Sequence, residues 1–314
     1  MSELVELQPE LTVITDGLRF PEGPIAMHDG SVVLVEMFGP RLIRVLPDGT
    51  KETIAEIEGG PNGAAVGPDG MIYLCNNGGC FTPADVMGMT FPGPFDPSTY
   101  IGGRIQRVDP ASGDVVDLYT ECDGRPLRAP NDIVMDGHGG FFFTDHGIRD
   151  LAQRTSDLSA IYYAKVDGSH IAEVVFPVEA PNGIGLSPEG GTLYWAETHT
   201  GRVFRRSIGE PGVIEPAAPL DTSIVLYGLP GYQLLDSLAV DGEGWVCVAT
   251  LVNGGITAIS PDGSQIEHHS TGDLMTTNIC FGGPDLRTAY ITLSSTGQLV
   301  EMEWPRIGLH VAHM

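Results

Sequence analysis

The chain is short of positive charge. Sixteen Lys and Arg stand against 41 Asp and Glu, a net charge of −25 over 314 residues. A molecule of that sign repels phosphate backbones and anionic headgroups, so nucleic acid and membrane surfaces are poor partners, although high acidity also simply aids solubility. Cysteine is scarce too, with five residues (75, 80, 122, 247 and 280) and no CxxC pair. An odd number of mostly buried thiols suits a reducing cytoplasm, and only Cys75 and Cys80 are placed to bridge in an oxidising one. The opening MSELVELQPE has neither the basic region nor the apolar core of a signal peptide. No apolar run approaches the ~20 residues that span a bilayer, and no stripe of period 3.6 persists beyond a few turns. Familiar catalytic words are missing: there is no GxSxG elbow, and the glycine-rich GGPNG and NNGGC lead into strands, so they are not phosphate loops.

What the chain has in quantity is glycine (42) and proline (24), with 42 % apolar residues. That composition predicts an all-β protein with many turns. The prolines are ordered. FPEGP at 20–24 returns as GPNGA from Gly60, APNDI from Ala129 and APNGI from Ala180. Each opens a unit of apolar strand, turn and second apolar strand, as in APNGIGLSPEGGTLYWAET, followed by a third strand such as GRVFRRSI. LLDSLAVDGEGWVCVAT and TTNICFGGPDLRTAYITL are weaker fifth and sixth copies, and runs such as KETIAEIEGG and DVVDLYTEC supply a fourth strand before the next collar. Six four-stranded units predict a six-bladed β-propeller forming one domain over residues 1–314, since each blade needs its neighbours to bury its faces. Asp29-Gly30 and Asp69-Gly70 fit tight hairpins that need positive φ. The sixth unit lacks an outer strand. Residues 10–16 (ELTVITD) match the fourth-strand segments and are predicted to close the ring from the N-terminal side, and the terminal HVAHM is a further candidate edge.

The same position of each collar carries an acid or an amide: Glu22, Asn62, Asn131, Asn182, Asp236 and Asn278. Polar residues are favoured wherever a turn enters a strand, but sixfold repetition on innermost strands aims all six at one axial spot. Two carboxylates among amide oxygens, without Cys or His, make a cage for a hard divalent cation, Ca²⁺ above all. Such an ion would relieve the repulsion between Glu22 and Asp236 in a narrow channel.

The ordered set FPEGP, PND, PNG and DSLAVD resembles the senescence-marker/gluconolactonase family of six-bladed propellers over nearly the whole chain. The resemblance implies a hydrolase that opens lactones or phosphoesters with one metal, usually Ca²⁺, in the channel. Carried over by position, the ligands are Glu22, Asn182 and Asp236, with Asn131 completing the shell or holding substrate. Two departures stand out. Ala239 and Cys280 occupy positions where fluorophosphatase-like members hold a second calcium, so no second site of that type is expected. Ala129 stands where sugar-lactonase members carry an arginine, and Ile133 follows Asn131-Asp132 where they have glycine, which turns the expected substrate away from aldonolactones.

Asp236 is then the expected general base or nucleophile. His146, in FFFTDHG, is a candidate polar contact or proton shuttle, and His268 and His269 fall in a polar outer segment with no role assigned. Segment 80–102, with Met87, Met89, Phe91, Phe95 and Tyr100, is the longest insertion on the collar face. It reads either as a plug between blades or as a lid for an apolar lactone or ester. Two other readings stay open: a metal-dependent lyase or isomerase on the same fold, and a non-catalytic binding propeller.

Overall fold

The computed structural model describes residues 4–309. Strands fill it, the helical content being a single 3₁₀ turn at Thr222–Ile224, and no helix among these residues is long and apolar enough to cross a membrane.

Six antiparallel sheets follow one another around a ring. The inner strands are Pro21–Ala26, Pro61–Val66, Pro130–Met135, Pro181–Leu186, Leu234–Val240 and Thr276–Gly282. From each, the chain steps outward through second, third and fourth strands; in the first blade these are Val32–Glu36, Arg41–Val45 and Lys51–Glu56. A blade has two apolar faces and can bury them only against its neighbours. Accordingly the core forms a sector between each adjacent pair of blades. Val35, Leu42 and Leu74 lie between the first and second, Phe141, Phe143 and Ile105 between the second and third, and Leu34, Ile43 and Leu299 between the sixth and first. Turns from first to second strands are tight. Gly30 and Gly70 take φ of 83° and 75°, and Asp29 and Asp69 accept hydrogen bonds from the backbone two residues on.

The ring closes as the sequence predicts. Thr12–Thr15 pairs antiparallel with Gln298–Glu303 as the outer strand of the sixth blade. A second fastening was not foreseen. Leu4–Leu7 pairs parallel with Ile266–Ser270, making the fifth blade five-stranded. From the other end of the chain, Arg306 donates to the buried Asp241 carboxylate (2.6 Å) and lies 4.0 Å over the Trp245 ring, while Trp304 donates its indole N–H to Asp241 (3.2 Å). These additions correct the reading of His268 and His269 as a polar outer segment. Both are buried, because the extra strand covers their own and Trp304 lies 4.4 Å from the His269 ring. The candidate edge HVAHM lies outside the described residues except for its approach at Leu309. All five cysteines are free.

Candidate active site

Every collar is a β-bulge. The pairing of inner with second strand shifts register between Glu22 and Ile25, Pro61 and Ala64, Pro130 and Ile133, Pro181 and Ile184, Leu235 and Leu238, and Thr276 and Asn278. A bulge bends its strand and re-aims a side chain, and here it turns Glu22, Asn62, Asn131, Asn182, Asp236 and Asn278 inward, all of them buried. Glycine follows the polar residue in three blades for a spatial reason. A Cβ on Gly23 would come within 2.5 Å of the Asn62 carbonyl oxygen, and one on Gly183 within 2.4 Å of the Leu238 nitrogen. The inner strands crowd each other at the axis, and only a missing side chain lets them close up.

A second repeated position holds the collars in place. The last residue of the second strand is Glu36, Asn76, Asp145 or Glu197 in the first four blades, all buried. Each accepts a backbone N–H from the segment leading into its collar: Arg19 to Glu36 (2.7 Å), Gly60 to Asn76 (3.0 Å), Arg128 to Asp145 (2.7 Å) and Glu179 to Glu197 (3.3 Å). The next residue along donates its own N–H back to a collar carbonyl, as His146 does to Ala129 (2.9 Å) and Thr198 to Ala180 (3.1 Å). Buried polar side chains with satisfied partners thus fix the loops that carry the site.

The axial residues are unequal in what they leave free. Asn278 is spent: its amide nitrogen donates to Glu22 (3.3 Å) and its oxygen accepts from Ile279 (2.8 Å). The side-chain oxygens of Asn62, Asn131 and Asn182 are buried with no partner. Asn182 donates only from its nitrogen, to Thr198 (3.2 Å), and Asn62 only weakly, to the Met37 sulfur (3.8 Å). Unpaired buried acceptors are costly, and three of them lie on one axis beside Glu22 and Asp236. Among the described residues no three His, Cys, Asp or Glu form a metal-binding group. The donors here are carboxylate and amide oxygens, a set that fits a hard cation.

Electrostatics agree. Burial, and then the charge of Asp236, pushes the Glu22 carboxyl well above its ordinary range, against a hydrogen bond from Asn278. Burial raises Asp236 to about 7, with hydrogen bonding from Asn182 opposing and the charge of Asp132 adding to it. Asp132 itself, buried beside Asn131, is raised to about 7 by burial. Its carboxylate accepts backbone N–H groups from Ile133 (3.0 Å) in its own blade and Ile184 (3.2 Å) in the next. This acid was not singled out from sequence. Its signal was Asp where three other collars have glycine, a substitution that exchanges close approach for a carboxylate bridging blades.

Glu22, Asn62, Asn131, Asn182 and Asp236 line one cavity of about 780 Å³, together with His146. Its walls are mostly apolar, including Phe20, Met37, Phe81, Phe91, Leu251 and Met275. Insertion 80–102 folds as a hairpin, Pro83–Val86 with Met89–Pro92. It packs against neighbouring blades and also walls the cavity. Phe91 packs with Phe20, Met37, Leu251 and Met275, Thr90 donates to the Ser295 carbonyl (2.9 Å) on the sixth blade, and Phe91 and Phe95 face the cavity. Met87, at the hairpin tip, is 93 % exposed and takes no part. Tyr100 instead donates to the Arg128 carbonyl (2.6 Å). Ala129 is wholly buried, so no side chain reaches the site from that position. His146 holds the Gly147 carbonyl (3.2 Å) at Nδ1, and its ring meets His199 edge-on at 5.9 Å. Burial lowers both imidazoles to about 4, so both are neutral near pH 7. His199, also on the wall, received no role from sequence.

A six-bladed propeller with an oxygen-lined axial floor under an apolar cavity is the class this fold and site define. A family model described as the SMP-30/Gluconolactonase/LRE-like region matches residues 20–295, and the chain belongs to that family. It is similar to lactonase drp35 of Staphylococcus saprophyticus, 27 % identical over 264 residues that cover 83 % of this chain and 72 % of that one. Its backbone is similar to a calcium-binding protein, regucalcin, of Agrobacterium tumefaciens (TM-score 0.75, 17 % identity, 99 % and 98 % of the two chains). A gluconolactonase of Xanthomonas campestris superposes with TM-score 0.72 at 21 % identity, over 94 % and 89 % of the chains.

Proposed function

We propose that the protein is a calcium-dependent lactonase that opens an apolar or aromatic lactone, or a related ester, in the 780 Å³ cavity. Family membership and the drp35 likeness support lactone hydrolysis. The observation that carries the metal is the set of buried, unpartnered amide oxygens of Asn62, Asn131 and Asn182 beside two carboxylates with raised pKa. Glu22, Asn182 and Asp236 would hold the ion, with Asn131 in or beside the shell and Asn62 as a further oxygen donor. A divalent ion there supplies positive charge for the acyl oxygen and its developing oxyanion.

The protein supplies the rest. Phe20, Phe81, Phe91, Leu251 and Met275 exclude water and receive the substrate's carbon skeleton, at roughly 0.8 kcal/mol per buried methylene. Asp236 either takes a proton from the attacking water or attacks the acyl carbon itself. In both routes one water is consumed, the acyl C–O bond breaks, and the ring oxygen leaves as a hydroxyl after gaining a proton. His146, neutral and fixed through Nδ1, presents Nε2 as a hydrogen-bond acceptor on the wall.

Single turnover in ¹⁸O-water tests the route: label entering Asp236 means direct attack. Product identification by NMR separates hydrolysis from elimination or isomerisation. A calcium-loaded protein that opens no lactone or ester would sink the proposal.

A further inference from the structure

One wall of the cavity differs in charge from the floor. Among the described residues lining it, Arg149 is the only Lys or Arg. It begins a small hairpin, Arg149–Asp150 with Thr155–Ser156, that the third blade sends over the cavity. The surrounding acids are already engaged. Asp145 accepts from the backbone of Arg128, Ala129 and Gly147. Asp157 takes the Arg128 guanidinium (2.8 Å) and the Ile148 N–H (3.0 Å), and Asp150 accepts from the backbone of Gln153 (2.9 Å). None of the described ion pairs involves Arg149. Beside it, His146 is more than nine-tenths buried and the Nε2 of His199 is buried with no partner. The guanidinium is close enough for its charge to oppose protonation of both imidazoles.

An apolar cavity needs no cation for a neutral lactone. A protein of net charge −25 also repels anionic ligands, unless a local positive group offsets its field. Resting on the lactonase reading, we infer that the substrate carries a carboxylate remote from its lactone ring. Arg149 holds that group at the rim, with His199 Nε2–H as a second donor, while the ring lies over the axial floor. The substrate class is an apolar-bodied lactone ending in a carboxylate, and Arg149 is the residue that selects it.

The test pairs a γ-alkyl lactone with the same lactone bearing a terminal carboxylate, using wild type, Arg149→Gln and Arg149→Lys. The ratio of kcat/KM for the carboxylated over the neutral lactone should fall about tenfold in Arg149→Gln, through KM, and be largely retained in Arg149→Lys. In wild type that ratio should also decline with added salt. An unchanged ratio in Arg149→Gln overturns the inference. A second arm measures calorimetric binding of the unreactive lactam analogue with and without its terminal carboxylate. If wild type opens neither lactone, the lactonase reading fails, yet this arm still decides whether Arg149 reads a remote carboxylate. If the monocarboxylate product of the neutral lactone loses as much affinity in Arg149→Gln as the carboxylated lactam does, Arg149 holds the newly formed acid instead, and the inference is wrong.

Discussion

The two ends of the central channel are made by the same six strands and could hardly differ more. Toward the collars the strands bulge, the loops are long, and acids and amides meet under a cavity of about 780 Å³. Toward the other end the strands regain register, the turns are short, with Asp-Gly pairs in the first two blades, and a smaller space of about 260 Å³ is lined by Ile25, Val66, Met135, Leu186, Val240 and Phe281. Asp132 and Asn278 stand at the boundary and face this lower space. Ala239 and Cys280, the positions that depart from the two-calcium pattern, lie here as well. Regular pairing produces closure and an apolar lining, whereas the bulge turns a polar side chain to the axis at one level only.

The contrast is broken most sharply at Asp236. Asp236→Ala should lower lactone turnover by at least about a thousandfold and weaken calcium binding, because it removes an anionic ligand and the base or nucleophile together. Asn278→Ala, one blade on, should cost less than about tenfold, because Asn278 already spends its amide on Glu22 and Ile279. Steady-state kinetics with calcium calorimetry would read both, and equal damage would mean the shell is misassigned.

Next in size is the calcium-free stability. Raised carboxyl values mean that the folded state binds protons more tightly than the unfolded chain does. The penalty on folding is therefore absent below the ordinary carboxylate range near about 4, grows as pH rises, and for Asp132 and Asp236 is complete above about 7. In chelator, Tm should fall by several degrees between about pH 5 and 8. Excess Ca²⁺ should remove most of that slope. A flat profile without metal would contradict the crowding of acids at the axis.

Asp132→Asn should destabilise by about 2–3 kcal/mol, since an amide nitrogen would face backbone donors that now share a carboxylate. Urea unfolding would measure it. Shortening the 83–92 hairpin should reduce the preference for an alkyl lactone over gluconolactone severalfold, by removing Phe91 from the wall. If relative kcat/KM does not move, the hairpin has no part in selection. At the lower end, Met135→Leu should change stability by less than about 1.5 kcal/mol and leave turnover as it was.

Much of this was legible in the sequence because propellers repeat. The six collars share one pattern, and the outer strand of the sixth blade is Thr12–Thr15, whose pattern matches the other fourth strands. What escaped notice does not repeat. Leu4–Leu7 pairs parallel with one blade only, and its partner strand IEHHS gave no sign that a fifth strand would bury His268 and His269. Arg149 was not singled out, and it shares a wall with His199 of the next blade only after the ring has closed. Asp132 was hidden differently, as one letter in a repeated word whose meaning depends on the strand beside it.

The closure of the sixth blade also has a meaning in time. Thr12–Thr15 must find a strand that ends at Glu303, so a segment made well before the sixth blade is among the last to be placed. Until then the sixth blade has a bare edge and the segment Thr12–Thr15 has no partner, a state prone to pairing with other chains. A nascent chain stalled before about residue 298 should therefore be captured by chaperones and cut by added protease far more readily than the released protein. Equal protease resistance would show that five blades suffice to hold the ring.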